Sequence, residues 1–178
     1  MRWRAFSVPP PDAAVWWHGR AATFSPGSAS LRRDRDEVAV EPRDADAAFA
    51  RGRDALLDYR IYPESILLHR IGTPGGRIAK GAVIVQRIRV GPLAVEAGVR
   101  VVEAWDQPGR VGYRYVTLRG HPERGVASFH LERAGGRVAF RIESESECAV
   151  PGLAGYARRR QREAVAGALA GMTRSLAE

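Results

Sequence analysis

Between about Ile66 and Ser146 the chain keeps a period of two, and this alternation constrains its fold more than any other feature. Ala82, Ile84, Gln86, Ile88 and Val90 fall on one face of an extended segment, and Ala97, Val99, Val101, Glu103 and Trp105 on one face of the next. Val111, Tyr113, Tyr115 and Thr117 follow, then Ala127, Phe129 and Leu131, then Val138, Phe140, Ile142 and Ser144. Such alternation is the mark of strands buried on one side. The breaks are short and rich in turn residues: Pro74-Gly75-Gly76, Gly91-Pro92, Pro108-Gly109, His121-Pro122 and Gly135-Gly136. Short connections join antiparallel neighbours, which predicts a meander.

The period changes to a helical one from Leu153 to Leu176. Leu153, Ala157, Ala164, Val165, Ala168, Leu169, Met172 and Leu176 share one arc, with Arg159, Arg162 and Glu163 outside it. An alanine-rich arc lets a helix approach a sheet closely. A shorter helix is predicted from Asp44 to Tyr59, with Asp44 as its N-cap behind Pro42. Residues 1–36 show neither period, and they hold Trp3, Trp16, Trp17, three consecutive prolines and the Ser25–Ser30 stretch. They are predicted to form an irregular arm laid against the domain, with Trp16 and Trp17 over the mouth of any pocket. The whole reads as α+β, one domain over residues 1–178: a curved antiparallel sheet of about six or seven strands around a long C-terminal helix, the helix-grip arrangement.

The 178 residues carry a net charge of +8, which raises the question of nucleic acid. The excess is thinly spread, however, and its only dense cluster is Arg158, Arg159, Arg160 and Arg162. Nucleic-acid binders concentrate basic side chains in a stripe or patch, so the distribution argues against that partner. Of the 28 basic residues only Lys80 is a lysine, a bias expected of GC-rich coding sequence rather than of function. No run approaches the ~20 apolar residues of a membrane-spanning helix, and the Arg-aromatic start offers no apolar core for a secretory signal. With the single Cys148, these features predict a cytoplasmic protein.

The chemistry-bearing residues are polar groups on apolar faces. Gln86, Glu103, Tyr113, Tyr115 and Gln161 all fall on faces that should point inward, and His121 sits in a turn before Pro122. Each has two readings. Gln161 is either a core glutamine bonded to backbone or a pocket group. Glu103 is either a strand-end carboxylate in solvent or an interior one with a raised pKa. The two tyrosines are core aromatics or cavity walls, and His121 is a loop-fixing residue or an acid–base group. Glu143, Glu145 and Glu147 read as a solvated face opposite arginines on the next strand. No zinc-like His/Cys spacing, phosphate loop or nucleophilic triad is present in the sequence, so neither a metal nor a cofactor is predicted.

One stretch is specific enough for a resemblance. Gly112-Tyr113-Arg114-Tyr115-Val116-Thr117-Leu118-Arg119-Gly120-His121-Pro122 is similar to the Gly-aromatic-x-Tyr-Gly-Thr-Leu-x-Gly-His-Pro signature of an uncharacterised family of bacteria and plants, known only as a domain of unknown function. Phe49, Arg51, Ala55 and Leu56, ahead of Tyr62-Pro63, resemble that family's first helix, and Arg158 to Gln161 its last. Val116 stands where the family often has glycine, and Gly125-Val126-Ala127 where it often has Gly-Glu-Glu. The resemblance, over roughly residues 20–177, implies a START-like fold related to lipid-transfer and polyketide-cyclase proteins, with no established activity. Three functions stay open: binding of a small lipophilic or aromatic ligand in an interior hydrophobic pocket, a cyclase or hydratase using Glu103, a tyrosine and His121, or an interaction module engaging acidic partners through Arg158–Arg162.

Overall fold

A computed structural model describes residues 2–23, 31–150, 152 and 154–177. The Ser25–Ser30 stretch and Leu153, the first residue of the expected helix, lie outside them. In chain order the elements are β1 (Arg2–Ala5), α1 (Pro11–His18), β2 (Arg32–Val40), α2 (Ala45–Leu57), β3 (Leu67–Ile71), β4 (Val83–Val90), β5 (Leu93–Gln107), β6 (Arg110–Thr117), β7 (Glu123–Ala134), β8 (Arg137–Cys148) and α3 (Ala154–Ala177). The strands form one antiparallel sheet in the order β2-β8-β7-β6-β5-β4-β3, and β1 pairs with the start of β5. From β3 to β8 this is the meander that the alternation predicts. Its turn at Gly91 carries a φ of 61° and the one at Gly109 a φ of 73°, values glycine tolerates and other residues resist.

The inward faces of the strands meet α2 and α3 around Ile84, Val99, Tyr113, Phe129, Phe140, Ala168 and Met172, all buried. Asp44 caps α2, accepting hydrogen bonds from the N–H groups of Asp46 and Ala47, both at 3.0 Å. At the other end of α2 the Tyr59 N–H bonds to the Leu56 carbonyl and the Arg60 N–H to the Ala55 carbonyl, the paired closure of a Schellman motif. Glycine normally occupies the left-handed position of that motif, but here Tyr59 does, at a φ of 59°. A bulky residue there costs on the order of 1–3 kcal/mol. Packing holds it in place: the ring is fully buried and its hydroxyl accepts a hydrogen bond from Gln86 Nε2.

Residues 1–36 differ from the expected irregular arm, for they contain β1, α1 and the first part of β2. β2 escapes a periodic reading because its first half is charged on both faces. Outward, Arg33 and Arg35 meet Glu145 and Glu143 of β8; inward, Asp34 bonds Arg158 of α3. α1 lies on the convex side of the sheet, away from the concave face. Its fully buried Trp17 packs with Val83, Val85 and Leu118 over Gly98, where a Cβ would stand 2.2 Å from the indole. Trp17 Nε1 donates to Glu96 at 3.3 Å, and Glu96 is also paired with Arg87 and Arg2, each at 3.1 Å. Arg87 in turn donates to the Ser7 hydroxyl. Trp16 stays partly exposed between the guanidinium groups of Arg2 and Arg20. Among the described residues neither tryptophan lines the cavity on the concave side.

Gly98→Ala should therefore displace the indole and loosen α1, and Trp17→Ala should cost about 3–5 kcal/mol. Trp16→Ala should cost well under half of that. Urea denaturation of the three variants checks the ranking; similar losses at Trp16 and Trp17 would contradict it.

Candidate functional site

The two ends of α3 sit differently on the sheet. Toward its C-terminus Ala168, Gly171, Met172 and Leu176 are buried, and a Cβ on Gly171 would lie 2.1 Å from the Ile61 carbonyl oxygen. Its first half is held by polar side chains instead. Arg158 makes a two-pronged bond to Asp34 and donates to Gln161 Oε1 at 3.0 Å. Gln161 Nε2 reaches the Ser146 hydroxyl at 3.3 Å. Under this half lies a cavity of about 180 Å³. Leu67, Ile88, Val95 and Phe129 are among its apolar walls, and the partly exposed Trp3 and Tyr156 lie at its rim.

Four of the six candidate residues, Gln86, Tyr115, His121 and Gln161, line this cavity. Tyr113 does not. It is fully buried beside Phe129, with ring centroids 4.8 Å apart, and its hydroxyl finds no hydrogen-bond partner among the described residues. Glu103 is on the other side of the sheet. A β-bulge between Val101 and Glu103 gives β5 one extra residue, so Val101 faces Tyr115 while Glu103 faces Arg114. Beyond the bulge the parity is reversed. Glu103 is a solvent-facing carboxylate 3.4 Å from Arg114, and Trp105 packs on the convex face beside His130. The acid–base set of Glu103, a tyrosine and His121 therefore does not converge.

The carboxylate that does enter the cavity is Glu123, which lies opposite Cys148 at the start of β7. Its strand parity is that of Gly125, Ala127 and Phe129, a signal present in the sequence. Burial raises its pKa from 4.5 to about 7, although Arg158 pulls it down, and no ion pair to it forms among the described residues. His121, two residues earlier, is shifted the opposite way. Burial lowers its pKa from 6.5 to about 4. The Glu123 N–H lies 2.9 Å from His121 Nδ1, and the Glu123 carbonyl oxygen lies 3.0 Å from the same nitrogen. These contacts fix the loop, and the same residue lines the cavity. Deeper in, Tyr115 is raised to about 12 by burial, while hydrogen bonding with Gln86, Tyr59 and Tyr62 acts to lower it. At neutral pH the hydroxyls of Tyr115 and its neighbours are thus neutral hydrogen-bonding groups.

Of the arginine cluster, Arg158 is committed to Asp34, and Arg160 to Glu163 and the Arg89 carbonyl. Among the described residues no group of His, Cys, Asp and Glu could hold a metal ion, and no helix is long and apolar enough to cross a membrane.

The opposite shifts at Glu123 and His121 have opposite effects on stability. A carboxyl group with a raised folded-state pKa adds stability at low pH that is lost as pH rises through about 7. An imidazole with a lowered pKa adds stability above its ordinary range that is lost as pH falls through about 4. Relative to the parent, Glu123→Gln should gain on the order of 1 kcal/mol between about pH 5 and pH 8, after allowance for solvent screening. His121→Asn, whose side-chain oxygen can still accept the Glu123 N–H, should change in the opposite direction. Urea midpoints at the two pH values test both; changes of the same sign would refute the assignment.

Comparison with known proteins agrees with this architecture. The model of a family described as "Domain of unknown function (DUF1990)" matches residues 19–170. A curated relative, a UPF0548 protein of Deinococcus radiodurans, is 47% identical over 53 residues, which are 29% of this chain and 27% of that protein's length. Among solved structures, Ara h 8.0201 aligns with a TM-score of 0.59 at 10% identity, covering 83% of this chain and 98% of its own. The hypothetical protein jhp0584 from Helicobacter pylori aligns at 0.61 and 13% identity, covering 93% and 94%. The norcoclaurine synthase of Thalictrum flavum, solved with dopamine and hydroxybenzaldehyde, aligns at 0.52 and 14% identity, covering 82% and 84%. At such identities these likenesses speak to fold alone. With most of its length matched by the family model, the chain belongs to this family of domains of unknown function and has the helix-grip, START-like fold.

Proposed function

We propose that this domain binds a small, largely apolar molecule of about one aromatic ring between the sheet and the first half of α3. The cavity carries this reading. An apolar cavity of ~150 Å³ is enough to hold benzene, so about 180 Å³ suits a ring with a short substituent and is too small for a whole lipid. Apolar walls supply affinity, and a few polar groups supply orientation. Here Gln86 and Tyr115 would serve at one wall, with Gln161, His121 and Glu123 at the other.

A fully structural core would have little use for these groups, since each one left unsatisfied costs about 1–3 kcal/mol. Gln161 is met by Arg158 and two serines, contacts that leave it at the cavity wall rather than turned to backbone. The norcoclaurine synthase with the same fold accommodates two one-ring molecules, a precedent for ligands of this size.

A panel of one-ring compounds and short-chain lipids, read by thermal shift, tests the proposal. Several ring compounds should raise the melting temperature, and Ala164→Phe, which fills the cavity from α3, should abolish the shift. Ala166→Phe, on the exposed side of the same helix, should leave it intact. No shift from any ring compound, or an undiminished shift in Ala164→Phe, would overturn the reading.

A further inference from the structure

We infer that the cavity selects a cationic ligand, a primary or secondary amine attached to a single aromatic ring, with the Glu123 carboxylate as its counter-ion. This rests on the ligand-binding reading above and specifies the ligand's charge.

The argument is a balance of charge inside the cavity. Its rings are Trp3, Tyr62, Tyr115, Phe129 and Tyr156, whose faces carry partial negative charge and attract ammonium groups. The groups facing Glu123 come from several elements: Asp34 of β2, Tyr115 of β6, His121 of the preceding loop, Cys148 of β8 and Arg158 of α3. Arg158 is the positive charge that acts on Glu123, and both prongs of its guanidinium lie on Asp34, whose opposite charge offsets part of that pull. Arg160, at the cavity wall, is likewise paired with Glu163 and bonded to the Arg89 carbonyl. His121 is kept uncharged at neutral pH by burial.

Glu123 is thus the cavity's charge without a matching cation among the described residues. In the unliganded protein the mismatch is relieved by protonation, which is the direction of its pKa shift. A ligand bearing an ammonium group would relieve it by ion pairing. Such a ligand would bind with proton release from Glu123, and its affinity would rise with pH until the carboxyl group is ionised. A carboxylate ligand would meet repulsion from Glu123 and from the ring faces.

Calorimetry with three matched probes tests the inference: 2-phenylethylamine, 2-phenylethanol and 3-phenylpropionate. The amine should bind about tenfold more tightly near pH 8 than near pH 5.5, and near pH 8 it should bind more tightly than the alcohol, whose affinity should be independent of pH. Glu123→Gln, which keeps the shape and removes the charge, should erase both the amine preference and its pH dependence. Equal or better binding of the alcohol near pH 8, preference for the carboxylate, or an amine preference that survives in Glu123→Gln would each overturn the inference while leaving the cavity as a binding site. Failure of all three probes to bind would remove the ligand-binding reading as well.

Discussion

The seat of Gly171 against the Ile61 carbonyl governs much of the remaining geometry. A side chain at that position would strike backbone, which cannot turn aside as a flexible side chain can. Gly52 plays a matching part in α2, where an added Cβ would run into Leu176 and Leu131. With its C-terminal half seated so closely, α3 packs on α2 and the segment after it through small residues at one end. At the other end it stands on an arginine–aspartate pair and on Gln161, which are longer contacts. Shape and site therefore share an origin: the helix closes the core where glycine and alanine allow it and leaves a space where polar side chains carry the contact. The loop between these regions brings Tyr59 and Tyr62 toward Gln86, and it does so by accepting a left-handed conformation at Tyr59.

The sheet from β3 to β8 was legible because each strand buries one face and each connection is short. What alternation could not disclose was the point where it fails. One extra residue in β5 moved Glu103 and Trp105 to the convex side, and nothing in their side chains announces a bulge. β1, α1 and β2 were illegible for separate reasons. β1 is four residues long and α1 eight, too short for a period to assert itself. β2 places Asp34 and Asp36 on the inward face, where a pattern reader expects apolar residues; its inward charge is matched by Arg158, more than 120 positions away in the chain.

The candidate site was half legible. Gln86, Tyr115 and Gln161 stood out as polar groups on apolar faces, and His121 as an ionisable group in a turn. Glu123 was overlooked although its parity matches Ala127 and Phe129. It lies directly after a proline and ahead of Gly125-Val126-Ala127, the segment that lacks the acids of the family's Gly-Glu-Glu pattern. An acid is nevertheless present two residues before Gly125, on the inward face. The distinction between Glu103 and Glu123 could not come from residue type. It depends on which strand keeps its register, and so on the bulge.

The N-terminal segment ties the convex face to the concave one. Along β1 the side chains alternate: Arg2 and Arg4 point outward to the buried Glu96, while Trp3 points inward and lies at the cavity rim. The outward residues join a network in which Glu96 also receives Arg87 and the Trp17 indole. A carboxylate so thoroughly buried is tolerable only with such partners, since removing one leaves charge uncompensated in a poorly solvated place. The position of Trp3 is consequently tied to ion pairs behind the sheet as well as to its pairing with Val95. Among the described residues β1 pairs with the sheet through β5, so the rim at Trp3 rests on one short ladder and the Glu96 network, whereas the rim at Tyr156 is carried by a helix anchored at its far end. Loss of the Glu96 network would therefore be felt at the cavity through Trp3, although Glu96 itself lies on the other face.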